Sequence, residues 1–179
     1  MNCRVEKSKI RGEVNCPSNK SYTHRGIFLA SLAGNNSKVE NVLLSADTKA
    51  TIEACKNFGA NIEVNESSII VKESIKIGTK VPEINTENSG TTMRIAIGIA
   101  SLFSEEITLT GDESLQKRPM QPLLDALSSV GAKCNSTDGK PPVKIQGSML
   151  GGEITIPGNL SSQFISSLLI SAPLTKNGI

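Results

Sequence analysis

Three basic side chains stand directly before an apolar run near the start of the chain, where a helix is expected to begin. Residues 16–25, CPSNKSYTHR, contain Lys20, Arg25 and the one histidine, His24, and the run GIFLASLA follows at once. A helix N-terminus carries roughly half a positive charge and several unpaired N–H groups, so acidic side chains are preferred there. Cations in this position predict that a phosphate or carboxylate group binds between them and the helix.

Two further arginines occupy comparable positions. Arg94 falls in the first turn of a second apolar run, and Arg118 precedes a helix that Pro119 or Pro122 is placed to begin. A buried guanidinium needs an anionic partner, so Arg94 favours the same interpretation. Taken singly, the three basic residues of the first stretch can be interpreted without a ligand: Lys20 and Arg25 as solvated surface charges, and His24 as a structural residue.

A nucleotide-binding P-loop is the nearest alternative for this stretch. That motif reads G-x-x-x-x-G-K-[ST], and Lys20 with Ser21 would supply its last two positions. The two glycine positions hold Val14 and Asn19, whose side chains block the close backbone approach to phosphate. The sequence therefore excludes nucleotide hydrolysis by a P-loop.

The chain contains an internal repeat. The segments EVNCPSNKS, EINTENSGT and EITIPGNLS begin at Glu13, Glu83 and Glu153, which are 70 residues apart in both steps. Three hydroxyl residues fall in register, namely Ser21, Thr91 and Ser161. They are interpreted either as helix N-caps or as donors to a bound anion.

Both complete repeats continue with an apolar helix, a strand, an amphipathic helix and a strand pair, so the fold class is α/β with right-handed crossovers. Gly59 and Gly131 are predicted to end the amphipathic helices in the left-handed conformation. The units are βαβαββ, two complete and a third begun. Their expected bounds are 13–82, 83–152 and 153–179, after an N-terminal segment 1–12. A third apolar helix without its sheet indicates a piece of a longer protein.

Composition excludes several classes of function. The net charge is +2, aromatic residues make up 3% and tryptophan is absent, which argues against nucleic-acid binding. The N-terminus does not resemble a signal peptide, and no apolar run approaches the ~20 residues of a membrane span. Four scattered cysteines without a C-x-x-C pair predict free thiols and no metal site. The expected setting is the cytoplasm.

Five ordered stretches resemble the motifs of the 5-enolpyruvylshikimate-3-phosphate synthase family: PSNKSYTHR, NSGTTMR, GDESLQKRPMQPLLDAL, DGKPP and SSQFISSLLISAP. The resemblance implies two similar domains, each of three βαβαββ units, with the active site between them and residues 1–12 joining the second domain. It implies transfer of the enolpyruvyl group of phosphoenolpyruvate to the 5-hydroxyl of shikimate 3-phosphate, through a tetrahedral intermediate. Phosphate is released, and neither metal nor cofactor takes part. The reaction belongs to the shikimate pathway of chorismate and aromatic amino acid biosynthesis.

The resemblance also implies a role for individual residues. Shikimate 3-phosphate would be bound by Lys20, Ser21, Arg25, Ser161, Ser162 and Gln163, and phosphoenolpyruvate by Lys20, Asn88, Gly90, Arg118 and Gln163, with Thr91 and Arg94 in support. The proton-transfer residues would lie in the second domain, outside this chain. We therefore expect a substrate-binding N-terminal fragment that is inactive alone and able to self-associate, whereas the full-length enzyme would be a monomer.

Three positions depart from the family's commonest second motif, N-A-G-T-A-M-R-P: here Ser89, Thr92 and Ile95 differ, which leaves sensitivity to the inhibitor glyphosate open. One alternative is a relative that acts on UDP-N-acetylglucosamine. That family would have Lys-Asn where this chain has Lys20-Ser21, and a reactive cysteine near the QKRPM loop. The loop of this chain contains no cysteine. The other alternative is an anion-binding module without catalytic activity.

Overall fold

The computed structural model describes residues 3–34 and 36–179, and within them the chain is an α/β protein. The α-helices are α1 Lys20–Ala33, α2 Ala46–Asn57, α3 Gly90–Ala100, α4 Gln121–Ser129 and α5 Ser162–Ser171, with 3₁₀ turns at Leu115–Lys117 and Ala172–Leu174. The strands are β1 Ser37–Glu40, β2 Asn61–Val64, β3 Ser68–Glu73, β4 Ile84–Asn85, β5 Ile107–Thr110, β6 Lys133–Thr137 and β7 Lys140–Gln146. In this described part, no helix is both long and apolar enough to cross a membrane.

The strands form two sheets. The first has the order β1-β3-β2 and is antiparallel throughout. The second has the order β4-β5-β7-β6, in which β4 runs parallel to β5 and the other pairs are antiparallel. From β4 to β7 the elements follow the predicted order of strand, helix, strand, helix and strand pair.

The first strands of the other two repeats are not formed, which corrects the prediction at residues 13–16 and 153–156. In the second repeat Ile84 is fully buried and opposes Leu109 in the sheet. In the first repeat the matched Val14 is 87% exposed, and in the third Ile154 touches the core without joining a ladder. A strand needs a hydrogen-bonded neighbour as well as an apolar residue, and these two segments have no neighbour in the described chain.

Helix α3 is the centre of the core, as its apolar run predicts. Nine of its eleven residues are buried, and it packs against α1, α2 and α5. Helices α1 and α5 also have apolar runs, but their Leu29 and Leu169 are 50% and 67% exposed. These two helices bury only the face that meets their neighbours, so a run rich in apolar residues does not by itself place a helix at the centre.

Both amphipathic helices end as predicted. Gly59 and Gly131 have φ of 96° and 105°, values that a residue with a side chain rarely adopts. After α2, the N–H of Gly59 donates to Lys56 O (2.8 Å) and that of Ala60 to Cys55 O (3.0 Å). This pair of bonds is a Schellman motif, and equivalent bonds follow α4.

Candidate anion-binding site

A polar pocket of about 280 Å³ lies where the first turns of α1, α3 and α5 meet the loop before α4. Its lining residues are Lys20, Ser21, Asp47, Asn88, Gly90, Thr91, Arg94, Arg118 and Gln163. All of these except Asp47 belong to the set that the sequence singles out. A larger depression of about 450 Å³ has Glu105 and Glu106 in its wall, and these carboxylates make it unsuitable for an anion.

The helix caps differ from the sequence interpretation. The side chains of Asn19 and Ser89, themselves 70 residues apart, accept from the N–H groups of Tyr22 (2.9 Å) and Thr92 (3.3 Å) and cap α1 and α3. Ser21 and Thr91 therefore lie in the first turn and line the pocket rather than capping the helices. Of the three matched hydroxyls only that of Ser161 is a cap, because α5 begins two residues later than the repeat predicts.

Lys20 already has an anionic partner within the chain. Its Nζ lies 2.7 Å from Oδ2 of Asp47, which sits in the first turn of α2. Asp47 is not itself the cap of α2, because Ser45 caps that helix in a reciprocal capping box with Thr48. An anion that approaches Lys20 must therefore displace Asp47 or bind beside it.

Arg94 and Arg118 direct their guanidinium groups at the same point. A Cβ placed on Gly90 would lie 2.9 Å from Nη1 of Arg94 and 2.8 Å from Nη1 of Arg118. Within the described residues neither arginine belongs to an ion pair. Two adjacent cations without a carboxylate between them favour an anion from outside the chain.

The half-buried guanidinium of Arg94 is held by a neutral partner. Its Nη1 donates to Oε1 of Gln163 (2.5 Å), and the group lies 5.3 Å from the centre of the Phe164 ring. Its Nε is buried and has no hydrogen-bond partner. Burial, and secondly the charge of Arg118, lower the pKa of Arg94. The anionic partner predicted from the sequence is thus not another side chain of the described part.

Gln163 joins α5 to α3. Its Nε2 donates to Oγ1 of Thr91 (2.8 Å) while its Oε1 accepts from Arg94, so both ends of the amide are engaged. Asn88 is engaged in the same way: its Oδ1 accepts from Nη2 of Arg118 (2.9 Å), and its Nδ2 donates to Asp112 (2.7 Å). Two side-chain amides therefore fix the positions of the two arginines.

Three predicted residues lie outside the pocket, at the boundary of α1 and α5. Arg25 donates to Oγ of Ser166 through Nε (3.3 Å) and Nη2 (3.0 Å), and to the carbonyl of Ser21 (3.2 Å). Ser161 caps α5, and Ser162 is exposed in the first turn of that helix. These residues form a second polar group, which adjoins the pocket through Ser21 and Gln163.

His24 lies in the core behind the pocket. It is fully buried, and its Nδ1 lies 2.6 Å from Oγ1 of Thr51. From there hydroxyls run through Thr92 (2.7 Å) to Ser89 (2.6 Å), the cap of α3. Burial, helped by the charges of Lys20 and Arg25 and opposed by Asp47, lowers the pKa of His24 to about 4. Sequence reasoning missed this chain of hydroxyls, because Thr51 belongs to no motif and lies far from Thr92, which drew attention only as a departure from the family's second motif.

Replacing Gly90 with alanine tests the convergence of the arginines. The methyl group would contact both guanidinium groups, whose flexible ends can move, so we expect little change in the thermal midpoint. Moving the two guanidinium groups apart should weaken phosphate binding about tenfold, because about one charge-assisted hydrogen bond to the phosphate would be lost. The measurement is the dissociation constant for inorganic phosphate by NMR titration. Gly158→Ala, at a site with open space around it, is the control. An unchanged dissociation constant in Gly90→Ala would contradict the convergence.

These features define an α/β protein with a cationic pocket built from helix starts, suited to phosphate and carboxylate groups. Among the residues that the structure describes, no group of three or more His, Cys, Asp or Glu is placed to hold a metal ion. The chain belongs to the EPSP synthase (3-phosphoshikimate 1-carboxyvinyltransferase) family, whose sequence model matches residues 5–179. The resemblance of its motifs is thereby confirmed.

Two curated relatives are 3-phosphoshikimate 1-carboxyvinyltransferases. That of Nitrosopumilus maritimus is 79% identical over 179 residues, covering 100% of this chain and 42% of the relative. That of Methanocella arvoryzae is 48% identical over 181 residues, covering 99% and 42%. EPSP synthase from Acinetobacter baumannii superimposes with a TM-score of 0.82 at 29% identity, covering 92% of this chain and 39% of that one. The chain thus spans about two fifths of the length of these proteins.

Proposed function

We propose that this chain provides one wall of the substrate site of a 3-phosphoshikimate 1-carboxyvinyltransferase. The reaction moves the enolpyruvyl group of phosphoenolpyruvate to the 5-hydroxyl of shikimate 3-phosphate and releases phosphate. The observation that carries the proposal is the convergence of Arg94 and Arg118 on Gly90, beside Lys20, in a chain of this family. Both substrates are polyanions, which is the chemistry such a pocket favours.

Phosphoenolpyruvate is assigned to the pocket itself. Arg118 and Lys20 would pair with its phosphate or carboxylate, Asn88 would line the site, and the missing side chain of Gly90 would leave room for the ligand. Fixed cations at a departing phosphate stabilise the charge that develops there, and this is the catalytic contribution we assign to these residues.

Shikimate 3-phosphate is assigned to the adjoining group at the start of α5. Its phosphate would accept from the hydroxyls of Ser161 and Ser162 and from Ser21, with Arg25 supplying charge. Gln163 stands between the two groups and is placed to contact both ligands, while Thr91 and Arg94 support it. We assign no proton transfer to His24, which is fully buried behind the pocket. The 179-residue chain is proposed to bind substrate without turning it over.

A calorimetric titration of this chain with shikimate 3-phosphate tests the proposal. We expect a dissociation constant in the range of about 0.1–1 mM, as for half of a divided site, which corresponds to about −5 kcal/mol. Arg25→Ala and Lys20→Ala should each weaken binding about tenfold through loss of a charged hydrogen bond. Lys56→Ala, which removes a lysine paired with Glu53 on α2, is the matched control. Tight binding that is unchanged by Arg25→Ala and Lys20→Ala would refute the assignment.

A longer protein that combines this chain with the rest of the family's length provides the test of activity. It should release phosphate from phosphoenolpyruvate only when shikimate 3-phosphate is present, and UDP-N-acetylglucosamine should not replace that acceptor. Phosphate binding without any such release would instead favour an anion-binding module. We propose the cytoplasm as its setting, because Cys3, Cys16, Cys55 and Cys134 are free thiols, as in a reducing compartment.

A further inference from the structure

Asp112 lies two residues after strand β5, in the motif GDESLQKRPMQPLLDAL, but the resemblance gives it no role and it does not line the pocket. Its Oδ1 accepts from the N–H of Leu115 (2.8 Å), which begins a 3₁₀ turn. Its Oδ2 accepts from Nδ2 of Asn88 (2.7 Å). The carboxylate is therefore anchored on one side to its own loop and directed on the other at the loop before α3.

The bond to Asp112 decides which way the Asn88 amide points. An ionised carboxylate only accepts hydrogen bonds, so Asn88 must turn its NH₂ toward Asp112 and its oxygen the opposite way. That oxygen accepts from Nη2 of Arg118 (2.9 Å). The same contacts, that of Leu115 first and that of Asn88 second, lower the pKa of Asp112 and keep it ionised.

Backbone contacts hold the two loops together. The N–H of Asp112 donates to the carbonyl of Glu87 (3.0 Å), and a Cβ on Gly111 would lie 2.6 Å from that carbonyl oxygen. Glu87 itself has φ of 50°, a left-handed conformation that is uncommon for a residue with a side chain. Strained residues persist where the surrounding structure requires them, and here the strain accompanies the approach that brings Asp112 to Asn88.

Asp47 and Asp112 both lie near a cation of the pocket, but they interact with it in different ways. Asp47 contacts Lys20 directly at 2.7 Å. Asp112 and Arg118 form no ion pair, and an amide stands between them. A carboxylate in direct contact would compete with a ligand anion for the guanidinium, whereas a carboxylate acting through an amide orients it and leaves its other N–H groups available.

We infer that Asp112 is a positioning residue for the anion site, holding the guanidinium of Arg118 in the pocket through the side-chain amide of Asn88. This inference rests on the proposed function of the pocket as a site for anionic substrate. It predicts that Asp112 affects the affinity for the anion without touching it. The effect should depend on Asn88.

Asp112→Asn is the decisive substitution. The new amide can still accept from Leu115, but it presents an NH₂ to that of Asn88, so Asn88 has to turn over and offer donors to Arg118. We expect the dissociation constant for inorganic phosphate to rise about tenfold, as when a residue that orients a ligand-binding group is lost. In the longer protein, KM for phosphoenolpyruvate should rise by a similar factor while KM for shikimate 3-phosphate stays within about twofold.

A double-mutant cycle separates positioning from a general structural effect. In an Asn88→Ala background the effect of Asp112→Asn should disappear, because the amide through which it acts is gone. Asn88→Ser removes the amide between Asp112 and Arg118 but leaves the hydrogen bond from Leu115 to Asp112 intact. This variant replaces Asp112→Asn in the test if Asp112→Asn does not fold. Asp125→Asn is the matched control, since its carboxylate also accepts from an amide, that of Gln121 (2.6 Å), and that amide has no arginine partner among its hydrogen bonds.

The outcomes distinguish this inference from the proposed function. If Arg118→Ala leaves phosphate binding unchanged, the assignment of the anion site is wrong. If Arg118→Ala weakens binding and Asp112→Asn does not, the positioning role is wrong and the site stands. An equal effect of Asp112→Asn with and without Asn88 would also overturn the positioning role.

Discussion

Replacing Gly98 with alanine is expected to lower the free energy of unfolding by about 3 kcal/mol, the upper part of the range for overpacking a core. A Cβ on Gly98 would lie 2.8 Å from Oγ of Ser171 and 2.9 Å from the carbonyl oxygen of Ser167, with Oγ of Ser167 closer still. Two of these atoms are oxygens on serine side chains, but the third belongs to the backbone of α5. The methyl group can therefore be accommodated only if α3 and α5 separate.

A loss of stability, rather than a gain, would show that α3 and α5 are in close contact at Gly98. In an ordinary helix interior, glycine to alanine stabilises by roughly 0.5–1 kcal/mol, because alanine loses less backbone entropy on folding. Here the serines that face Gly98 cannot simply rotate away. Oγ of Ser167 donates to the carbonyl of Arg94 (2.6 Å), and Oγ of Ser171 donates to that of Ser167 (3.0 Å). Contact with α5 should therefore outweigh the gain in propensity.

Urea denaturation of Gly98→Ala and the parent chain measures the difference. Gly26→Ala on α1 is the matched control, because its nearest neighbour is a single methyl carbon of Val39 at 3.2 Å, and a change within about 1 kcal/mol is expected there. Phosphate affinity should fall together with stability in Gly98→Ala, since α5 carries Gln163. A more stable Gly98→Ala chain would show that the two helices are not packed as closely as described.

The parts of the fold that were predictable from sequence are those set by local chemistry. The glycines at 59 and 131 end their helices because the left-handed conformation excludes most other residues, whatever surrounds them. Helix α3 was predictable as a helix from its apolar run, but its central position was not, because α1 and α5 have similar runs and leave Leu29 and Leu169 exposed. Lys20, Arg94 and Arg118 were singled out because each stands at or just before an expected helix start, and all three line one pocket.

The parts that could not be predicted depend on partners distant in the chain. Val14 and Ile84 occupy the same position in their repeats, yet only Ile84 forms a strand, because only it has a neighbouring strand in the described chain. Asp47 has the sequence context of a cap, but its contact with Lys20 is made across 27 positions. The amides of Asn88 and Gln163 were expected near the ligand. Their hydrogen bonds to Arg118 and Arg94 could not be predicted, because they depend on the positions of α5 and of the loop that contains Asp112.

Lowering the pH from 7 to about 4.5 is expected to remove about 2 kcal/mol of stability through His24 alone. The pKa of this group falls from an ordinary 6.5 to about 4, chiefly because the folded chain buries it. Between these two values the unfolded chain binds a proton at His24 and the folded chain does not. Stability therefore falls as the pH falls through this window, and above about 6.5 it no longer depends on this group.

The groups around His24 explain why it resists protonation. Lys20 and Arg25 on its own helix repel the positive form, and only Asp47 on α2 favours it. Oγ1 of Thr51 lies 2.6 Å from Nδ1, whereas Nε2 is buried without a partner, so a protonated ring would carry an N–H group with no acceptor. Carboxylates whose pKa is lowered contribute mainly below about pH 5, since the ordinary value is 3.8 for Asp112 and 4.5 for Glu40 and Glu73, and the window from 6.5 to about 5 is left to His24.

Equilibrium unfolding at pH 7 and pH 5, for the parent chain and for His24→Asn, tests this prediction. Asparagine keeps a polar atom near Oγ1 of Thr51 but does not titrate, so the variant should lose about 1–2 kcal/mol at pH 7 from its smaller volume and should then show little further change at pH 5. Equal stability of the parent chain at the two pH values, or the same slope in the variant, would contradict the buried neutral histidine.

Phosphate bound near Lys20 and Arg25 should offset their charges and raise the pKa of His24. The imidazole resonance, followed by NMR with and without phosphate, would therefore register the ligand from behind the pocket.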